Sequence, residues 1–474
     1  MRTKEELIDQ IDELFHPRSI AIVGAPRGMK AGSVFLTALL QQGFGGKIYP
    51  VNPNAEEIEG LKAYPALSQI PGSVDLAIIL VPHHSAAGAL RECAAKGVKG
   101  AVLFTAGYKE TGTEEGTALE AELVREAHAA GMRLIGPNGM GLYSPKTGLS
   151  FFPQMSKIPG SVGVISQSGS LTNILGVMAP QVGIKFSKVI SSGNECDLSA
   201  ADFLTYLGHD SETGLIGAYI EGIKDGPYFL NALKAASRHK PVIIWKVGLT
   251  TEGGHASASH TGALAGSATI WQAVIQQTGA IPVVGFEAWV DALMGFSLIP
   301  PTIGQRVAII SGPGGLAVSA AEACGYLGLK LASVSRQTQL ELAGVVPSTG
   351  TSLRNPIDVS LSAHIDLKIF KHAAGTVGAD SGVDAVVVIG CGLTPQDNQK
   401  FVDHMIHVQR ECRKPLLIVK IPGFDPSLSR QFCEAGLPFF DSVERAMRTY
   451  AMICRYRRWC QKRSNFFNCK LGTF

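Results

Sequence analysis

Short apolar runs rich in valine and isoleucine alternate with longer amphipathic segments along the chain. In the first third, residues 19–25, 75–82 and 100–107 have the character of buried strands, and residues 33–43 and 114–131 have the spacing of helices. Near-continuous apolar strands separated by helices are typical of a parallel sheet that is covered on both faces. The pattern therefore predicts a doubly wound α/β domain with about five strands, whose loops gather at the carboxyl ends of the strands.

The same pattern restarts twice. A second set of strands opens with 161-SVGVISQSGS-170, and a third opens with 306-RVAIISGPGG-315. Each opening is a strand, a tight glycine-containing turn and a helix, which indicates a weak internal duplication. The sequence thus predicts three α/β domains and a basic tail, at residues 1–145, 146–300, 301–460 and 461–474.

Composition narrows the class of protein. The length of 474 residues fits about three domains, and the net charge of +3 is too small to indicate a nucleic-acid partner. No apolar run reaches the roughly 18 residues of a membrane span, and the charged N-terminal segment lacks the apolar region of a secretory signal. The nine cysteines stand singly without a CxxC pair, so we expect no disulfides, no structural zinc and a cytoplasmic location.

Three strand–turn–helix openings are candidates for anion binding, at residues 24–33, 166–171 and 311–316. In such a turn several backbone N–H groups and the positive end of the helix dipole point at one place, which suits phosphate. A single glycine turn is what any α/β domain needs, and none of the three matches the Walker pattern GxxxxGK[ST]. Three such turns in one chain nevertheless favour phosphate chemistry.

The first turn also carries two cations, Arg27 and Lys30. Cations beside a helix N-terminus favour a multiply phosphorylated ligand such as a nucleotide or coenzyme A. Dinucleotide-binding domains usually place an acid near the end of the second strand. Here no acid follows that strand before Glu56, which disfavours NAD.

Two histidines, His255 and His260, lie five residues apart in 253-GGHASASHTGALAGS-267, which its small residues predict to be a loop. The spacing is not that of HExxH, and no metal site is predicted. A histidine is a nucleophile near neutral pH when an acceptor holds its second nitrogen. Glu221, at a strand end of the same domain, is the candidate acceptor, and a surface carboxylate in a turn is the alternative.

The order of the motifs resembles a known family. Along the chain stand GPNGMG at 136–141, then VISQSG, SGN, YIEGIKD, SHTGALAGS, and NPIDV at 355–359. This arrangement is similar to the α subunit of NDP-forming acyl-CoA synthetases, relatives of succinyl-CoA synthetase, over nearly the whole chain. The resemblance implies a Rossmann-like CoA-binding domain followed by two flavodoxin-like parallel-sheet domains. It also implies the reversible conversion of acyl-CoA, phosphate and ADP into a carboxylic acid, CoA and ATP.

The resemblance implies roles for individual residues. His260, in the SHTG position, would take a phosphoryl group from an acyl phosphate and pass it to the nucleotide, and Glu221 would orient it. The two turns whose helices face the phosphohistidine would bind phosphate through Ser166, Gln167, Ser168, Gly169, Gly314 and Gly315. CoA would contact Gly24, Arg27, Lys30, Pro50, Val51, Asn52, Val81, Pro82 and Asn138.

Two departures and one absence accompany the resemblance. Position 139 is glycine where the family commonly has cysteine, and the loop at residues 24–32 is short for a CoA loop. No ATP-grasp module follows Trp459, so a separate ATP-grasp β subunit is expected to bind the nucleotide and Mg²⁺. The alternatives are a non-catalytic CoA-sensing or acyl-CoA-sensing regulatory module and, more weakly, an NAD-dependent dehydrogenase. An intact SHTG favours the synthetase.

Overall fold

The chain folds into two compact units. The computed structural model describes residues 3–261, 266–300 and 304–471, without the side chains of residues 258–261 and 463–471. The first unit comprises Met1–Met178 and Lys185–Val284, and the second comprises Ala179–Ile184 and Gly285–Phe474. Within the described residues, two large sheets lie in the first unit and one in the second.

The first sheet forms from the apolar runs of the opening third of the sequence. Its region contains strands β1 (Ser19–Val23), β2 (Lys47–Val51), β3 (Glu57–Ile58), β4 (Leu61–Lys62), β5 (Leu76–Ile79), β6 (Gly100–Leu103) and β7 (Arg133–Ile135). The helices are α1 (Lys4–Phe15), α2 (Ser33–Gln42), α3 (His83–Lys96) and α4 (Glu114–Ala129). In the described chain, five strands pair in parallel in the order β2-β1-β5-β6-β7, which confirms the predicted sheet. Every position of β1 is buried, because helices cover both faces.

The amphipathic segment at the N-terminus is helix α1, and a capping box fixes its start. The Thr3 hydroxyl accepts a hydrogen bond from the Glu6 N–H at 3.2 Å, and the Glu6 carboxylate accepts one from the Thr3 N–H at 2.8 Å. The apolar face of the helix is buried, with Ile11 and Phe15 fully shielded from solvent. This segment is therefore part of the folded first unit.

The second sheet follows in the same unit. Its strands are β8 (Gly141–Tyr143), β9 (Val162–Ser166), β10 (Phe186–Ser191), β11 (Leu215–Ile220), β12 (Val242–Lys246) and β13 (Ile281–Pro282). Its helices are α5 (Gly169–Met178), α6 (Ala200–His209), α7 (Gly226–His239), α8 (Thr251–Thr261) and α9 (Ala268–Thr278). The order is β13-β12-β11-β9-β10-β8, parallel except for β8, which pairs antiparallel with β10. Strand β8 lies inside the predicted first domain, residues 1–145, but pairs with β10 of the second sheet. The domain boundary between residues 145 and 146 stays a prediction.

The third sheet and its helices make up the second unit. Its strands are β14 (Arg306–Ser311), β15 (Lys330–Leu331), β16 (Ile357–Asp358), β17 (Ala385–Ile389), β18 (Leu416–Val419) and β19 (Phe439–Phe440). Its helices are α10 (Phe286–Leu298), α11 (Gly314–Tyr326), α12 (Arg336–Ala343), α13 (Ser362–Ile365), α14 (Lys368–Ala379), α15 (Pro395–Glu411), α16 (Ser429–Glu434) and α17 (Val443–Leu471). The strands pair in parallel in the order β15-β14-β17-β18-β19, and β16 also pairs with β14.

The three glycine-containing turns of the sequence follow the carboxyl ends of β1, β9 and β14, the edge at which parallel sheets bind ligands. Each turn leads into a helix, which is α2, α5 and α11 respectively. None of the described helices combines the length and apolar composition that crossing a bilayer requires.

Candidate functional site

A large cavity opens at the carboxyl edge of the first sheet. Its volume is about 780 Å³, and loops that follow β1, β2, β5, β6 and β7 surround it. The lining residues are Gly24, Pro26, Arg27, Lys30, Ala31, Gly32, Asn52, Asn54, Leu80, Pro82, Phe104, Thr105, Ala106 and Asn138. Six of the nine residues that the sequence suggested for CoA therefore share one cavity, which we name the first-sheet cavity.

The other three suggested residues lie outside this lining. Pro50 and Val51 are buried within β2. Val81 packs against the first turn, since a Cβ at Gly24 would lie 2.8 Å from its Cγ1. Gly24 has a φ of 82°, so both the backbone conformation and the contact with Val81 require glycine there.

The first backbone N–H groups of the turn after β1 are hydrogen-bonded to the neighbouring strand β2. The N–H groups of Gly24 and Ala25 both donate to the carbonyl of Val51, at 3.0 and 3.2 Å. The cations Arg27 and Lys30 are exposed at the cavity. The charge available to a phosphorylated ligand at this turn therefore comes from these side chains and from the N-terminus of α2 rather than from the first amides of the turn.

Asn138 connects the first-sheet cavity to a buried polar cluster. It has a φ of 59°, and its amide donates to Asn194 Oδ1 at 3.5 Å. The Asn194 amide donates in turn to Glu120 Oε2 at 3.0 Å and to Glu110. Burial acts to raise the pKa of Glu110, but hydrogen bonds from the Gly107 N–H and the Asn194 amide outweigh it and hold that pKa below its usual value. The sequence reasoning missed this cluster, because the carboxylates and the amide lie far apart along the chain.

Position 139 is glycine for a steric reason. A Cβ there would lie 2.7 Å from the carbonyl oxygen of Ser191 and 3.1 Å from the nitrogen of Gly193. Gly193, with a φ of 57°, leaves even less space, since its own Cβ would lie 2.2 Å from the carbonyl oxygen of Pro137. Two backbone segments thus cross in contact at this point, and the crossing has no room for a cysteine side chain.

The turn between β9 and α5 is built from serine hydrogen bonds. Ser166 is fully buried, and its hydroxyl donates to the carbonyl of Ser168 at 2.9 Å and accepts from the Ser168 N–H at 3.2 Å. The Ser168 hydroxyl accepts from the Leu171 N–H at 3.3 Å, which caps the first turn of the helix that begins at Gly169. The predicted phosphate residues of this turn therefore surround a helix N-terminus.

The side chain of Gln167 holds the turn that carries Glu221, and the phosphate contact that the resemblance implies for Gln167 stays a prediction. Its side-chain Oε1 accepts from the N–H groups of Glu221 and Gly222, at 2.6 and 2.9 Å, and its Nε2 donates to the Gly222 carbonyl at 2.9 Å. The side-chain amide is thus occupied by the turn that carries Glu221. Among the described contacts, Gln167 acts on that turn as a clamp.

Glu221 lies beside a second cavity, of about 440 Å³, which we name the Glu221 cavity. It is lined by Ser168, Tyr219, Glu221, Val247, Gly253, Ala256 and Ser257. Glu221 is only 4% exposed, and its carboxylate accepts a hydrogen bond from the Tyr219 hydroxyl. Burial, followed by the Glu221 charge, raises the pKa of Tyr219, so the phenol stays protonated. A buried carboxylate therefore faces a cavity that also meets the start of α5.

The segment that carries the two histidines is largely helical. The prediction of a loop over 253–267 is wrong up to Thr261, where α8 ends. Thr250 caps the helix, its Oγ1 accepting from the Gly253 N–H at 3.0 Å, and the alanines that follow are strong helix formers. His255 is exposed on α8. The backbone of His260 belongs to the same helix, whereas its side chain, like residues 262–265, lies outside the described part of the chain.

The turn between β14 and α11, in the second unit, repeats the hydrogen bonds of the turn between β9 and α5. The Ser311 hydroxyl donates to the Pro313 carbonyl at 2.8 Å, as Ser166 does to Ser168. The Gly312 N–H donates to the neighbouring strand at 3.2 Å, and the Gln167 N–H does so at 3.3 Å. Gly314 and Gly315 form the first turn of α11.

Gly312 occupies the position in this turn that Gln167 occupies in the turn before α5. The His364 side chain lies where a side chain at position 312 would be. A Cβ at Gly312 would lie 2.0 Å from Nε2 of the buried His364. The Nδ1–H of His364 donates to the carbonyl of Cys391 at 2.7 Å. The two turns therefore share a backbone plan and differ in the side chain that supports them.

Comparison with protein families defines the class. A model of the CoA binding domain matches residues 18–145, and a model of the succinyl-CoA ligase like flavodoxin domain matches residues 159–296. The first match contains the first-sheet cavity, and the second contains the Glu221 cavity and α8. Fold and family models together define a CoA-dependent acid–thiol ligase.

Relatives place the chain within that class. The α subunit of ADP-forming acetate–CoA ligase II from Pyrococcus furiosus is 38% identical over 94% of this chain and 97% of that subunit. The ADP-forming acetate–CoA ligase II of Archaeoglobus fulgidus is 38% identical over 80% of this chain and 57% of that longer protein. The structure of the dinucleotide-forming acetyl-coenzyme A synthetase 1 of Ca. Korarchaeum cryptofilum, in complex with phosphate and ADP, matches with a TM-score of 0.85 and 32% identity, covering 95% of this chain and 98% of that one. The chain belongs to the ADP-forming acyl-CoA synthetase family, which confirms the predicted family, fold class and use of CoA and ADP.

Proposed function

We propose that this chain is the α subunit of an ADP-forming acyl-CoA synthetase in which His260 carries the phosphoryl group between acyl phosphate and ADP. One observation carries the proposal most directly. The Glu221 cavity brings a buried carboxylate, the start of α5 and the α8 residues Ala256 and Ser257 together, and His260 follows three positions after Ser257 in the same helix. Residues three apart lie on one face of an α-helix.

Each group around the Glu221 cavity has a chemical task in this proposal. Glu221 accepts a hydrogen bond from one imidazole nitrogen, and the other nitrogen attacks the phosphorus of the acyl phosphate. The bond between phosphorus and the acyl oxygen breaks, the carboxylate leaves, and the Glu221 charge stabilises the cationic phosphohistidine. The N–H groups at the start of α5, around Ser168 and Gly169, hold the phosphoryl oxygens. In the second unit, Gly314 and Gly315 at the start of α11 stay predicted phosphate residues of their own turn, which shares its hydrogen-bond pattern with the turn before α5.

The first-sheet cavity is the proposed CoA site. Its volume of about 780 Å³, its two exposed cations and the helix N-terminus at Gly32 fit the phosphates and the pantetheine arm of CoA. Asn138, which lines the cavity and is held by Asn194, is the proposed neighbour of the thioester. Pro50, Val51 and Val81 act as support behind this lining rather than as lining themselves.

The proposed partner is an ATP-grasp β subunit that binds ADP and Mg²⁺. The Pyrococcus furiosus relative is named as an α subunit, and the Archaeoglobus fulgidus ligase is longer than this chain, which spans 57% of it. The proposed acid is a small carboxylic acid, because both relatives are named for acetate. The proposed location is the cytoplasm, since the cysteines stand singly as in reducing compartments.

Replacing His260 by alanine is expected to abolish labelling of the chain by radioactive phosphate in the presence of acetyl-CoA. Phosphohistidine is acid-labile and base-stable, so the label is identified by its loss in acid and its survival in base. His255→Ala, an exposed histidine of the same helix, is the matched control and is expected to retain the label. A wild-type chain that takes up no label, or a His260→Ala chain that labels equally well, would show that the nucleophile is wrongly assigned.

Replacing Arg27 or Lys30 by alanine is expected to raise the dissociation constant of CoA about tenfold, which corresponds to about 1.4 kcal/mol. Each substitution removes one cation that faces the phosphates at the edge of the first-sheet cavity. The measurement is isothermal titration of CoA at several salt concentrations, and each variant should show a shallower salt dependence. The control is Lys47→Ala, because Lys47 is an exposed lysine at the amino end of β2. An equal loss of CoA affinity in that variant would mean that Arg27 and Lys30 make no specific contact with CoA.

A further inference from the structure

Lys246 is a buried lysine at the carboxyl end of β12. It is 9% exposed, and it pairs in register with Ile220, the last residue of β11, so its side chain lies next to the turn that carries Glu221. Its Nζ donates to the main-chain carbonyl of Glu221 at 2.8 Å and also to the carbonyl of Val247. A lysine ammonium is costly to bury, and these two acceptors offset only part of that cost.

Lys246 also lies near parts of the chain that precede and follow His260. Ser257, in α8, donates to the same Glu221 carbonyl at 3.4 Å. Further along the chain, the Gly266 N–H donates to the Gly248 carbonyl at 3.2 Å. A Cβ at Gly266 would lie 3.9 Å from the Lys246 ammonium. The ammonium is thus close to the Glu221 turn and to Gly266.

The charge around Lys246 comes from one described direction. Glu221 is the charged group that acts on Lys246. Ser257 of α8 donates to the same Glu221 carbonyl, and Gln167 accepts from the N–H groups of Glu221 and Gly222; neither side chain titrates. The Tyr219 phenol donates to the Glu221 carboxylate and stays protonated. Burial lowers the pKa of Lys246 to about 8, and the Glu221 charge opposes that shift.

We propose that Lys246 is a positioning residue for phosphoryl transfer, which fixes the main chain of Glu221 and supplies the positive charge behind the Glu221 cavity. This inference rests on the proposed function of His260 and Glu221. A phosphoryl group that enters this cavity brings a second anion next to a buried carboxylate, and in a poorly solvated place the two repel. The ammonium offsets that repulsion without touching the reacting atoms. A neutral side chain of similar length would keep the packing but would leave the two anions uncompensated.

The pH dependence of labelling separates this role from a purely structural one. The ammonium must be charged, so the rate of His260 labelling in the wild-type chain is expected to fall as pH rises through about 8. In Lys246→Arg the fall at alkaline pH is expected to disappear up to about pH 10, because a guanidinium stays protonated. In Lys246→Met the rate at neutral pH is expected to be about tenfold lower, less than the loss for a donor that contacts the reacting group itself. The assay uses acetyl-CoA with radioactive inorganic phosphate and rapid acid-free quenching.

Lys240→Met is the matched control. Lys240 is also partly buried in the first unit, its Nζ donates to the main-chain carbonyls of Leu207 and Asp210, and burial lowers its pKa as well. If both methionine variants lose thermal stability but only Lys246→Met changes the labelling rate, the positioning role holds.

The inference is overturned if the wild-type rate stays constant to about pH 10, a result that needs no variant, or if Lys246→Arg keeps the wild-type alkaline limb. Absence of label on the wild-type chain at every pH would instead defeat the proposed function itself.

Discussion

Replacing Glu221 by glutamine is expected to slow His260 labelling by about 10²- to 10⁴-fold while leaving the fold unchanged. Glutamine has the same shape and keeps an oxygen for the Tyr219 hydroxyl. The clamp from Gln167 and the bond from Lys246 contact only the main chain of residues 221 and 222, so they are retained. What is lost is the negative charge that, in the proposed function, stabilises the cationic imidazole during phosphoryl transfer.

The test is rapid-quench labelling with acetyl-CoA and radioactive phosphate. Glu252→Gln is the matched control, because Glu252 is an exposed carboxylate in the first turn of α8 and should label at the wild-type rate. CoA affinity should be unchanged in both variants, since the first-sheet cavity does not contain Glu221. A Glu221→Gln chain that labels within about twofold of wild type would exclude Glu221 as the orienting carboxylate.

Replacing Gly193 by alanine is expected to cost about 2 to 5 kcal/mol of unfolding free energy. The φ of 57° places an L-residue in the left-handed region, which costs about 1 to 2 kcal/mol. The new Cβ would also lie 2.2 Å from the carbonyl oxygen of Pro137, and relieving that overlap requires a backbone shift worth about 1 to 3 kcal/mol. The same shift would move Asn138 and Asn194, so CoA affinity should fall too.

The stability change is measured by chemical denaturation and the binding change by titration with CoA. Gly226→Ala is the control: no atom lies within 4 Å of its added Cβ, and it begins α7, where alanine suits the helix. A Gly193→Ala chain as stable as the Gly226→Ala chain would mean that the backbone crossing at positions 137–139 and 191–193 is not the tight contact described above.

Most of the fold could be predicted from the sequence, because buried parallel strands leave a local signal. Runs such as 19–25 and 306–311 are apolar at successive positions, and each became a strand buried throughout most of its length. The carboxyl-edge rule then indicated where the glycine turns would lie. The same rule could have identified Thr105, which follows β6 into the first-sheet cavity, and Lys246, which ends β12 at the Glu221 turn.

The site was less accessible to sequence reasoning for two physical reasons. Small residues such as those of 253–261 suit a loop or a helix equally well by composition, and the Thr250 cap decides for the helix. Partners such as Asn194 and Glu110, or Gln167 and Glu221, are far apart in sequence, so their hydrogen bonds exist only after the sheet has formed. The role of Gln167 as a clamp follows from geometry that no local pattern encodes.

The Gln167 clamp has a consequence for how the protein responds to ionic strength. A neutral amide holds the turn of Glu221 by three hydrogen bonds, and dissolved ions screen charges rather than neutral hydrogen bonds. The Glu221 carboxylate should therefore keep its position over a wide range of salt, whereas the exposed cations Arg27 and Lys30 lose influence as salt rises. A rise in ionic strength is therefore expected to weaken CoA binding and to leave the position of Glu221 unchanged, so the two cavities should differ in their sensitivity to salt.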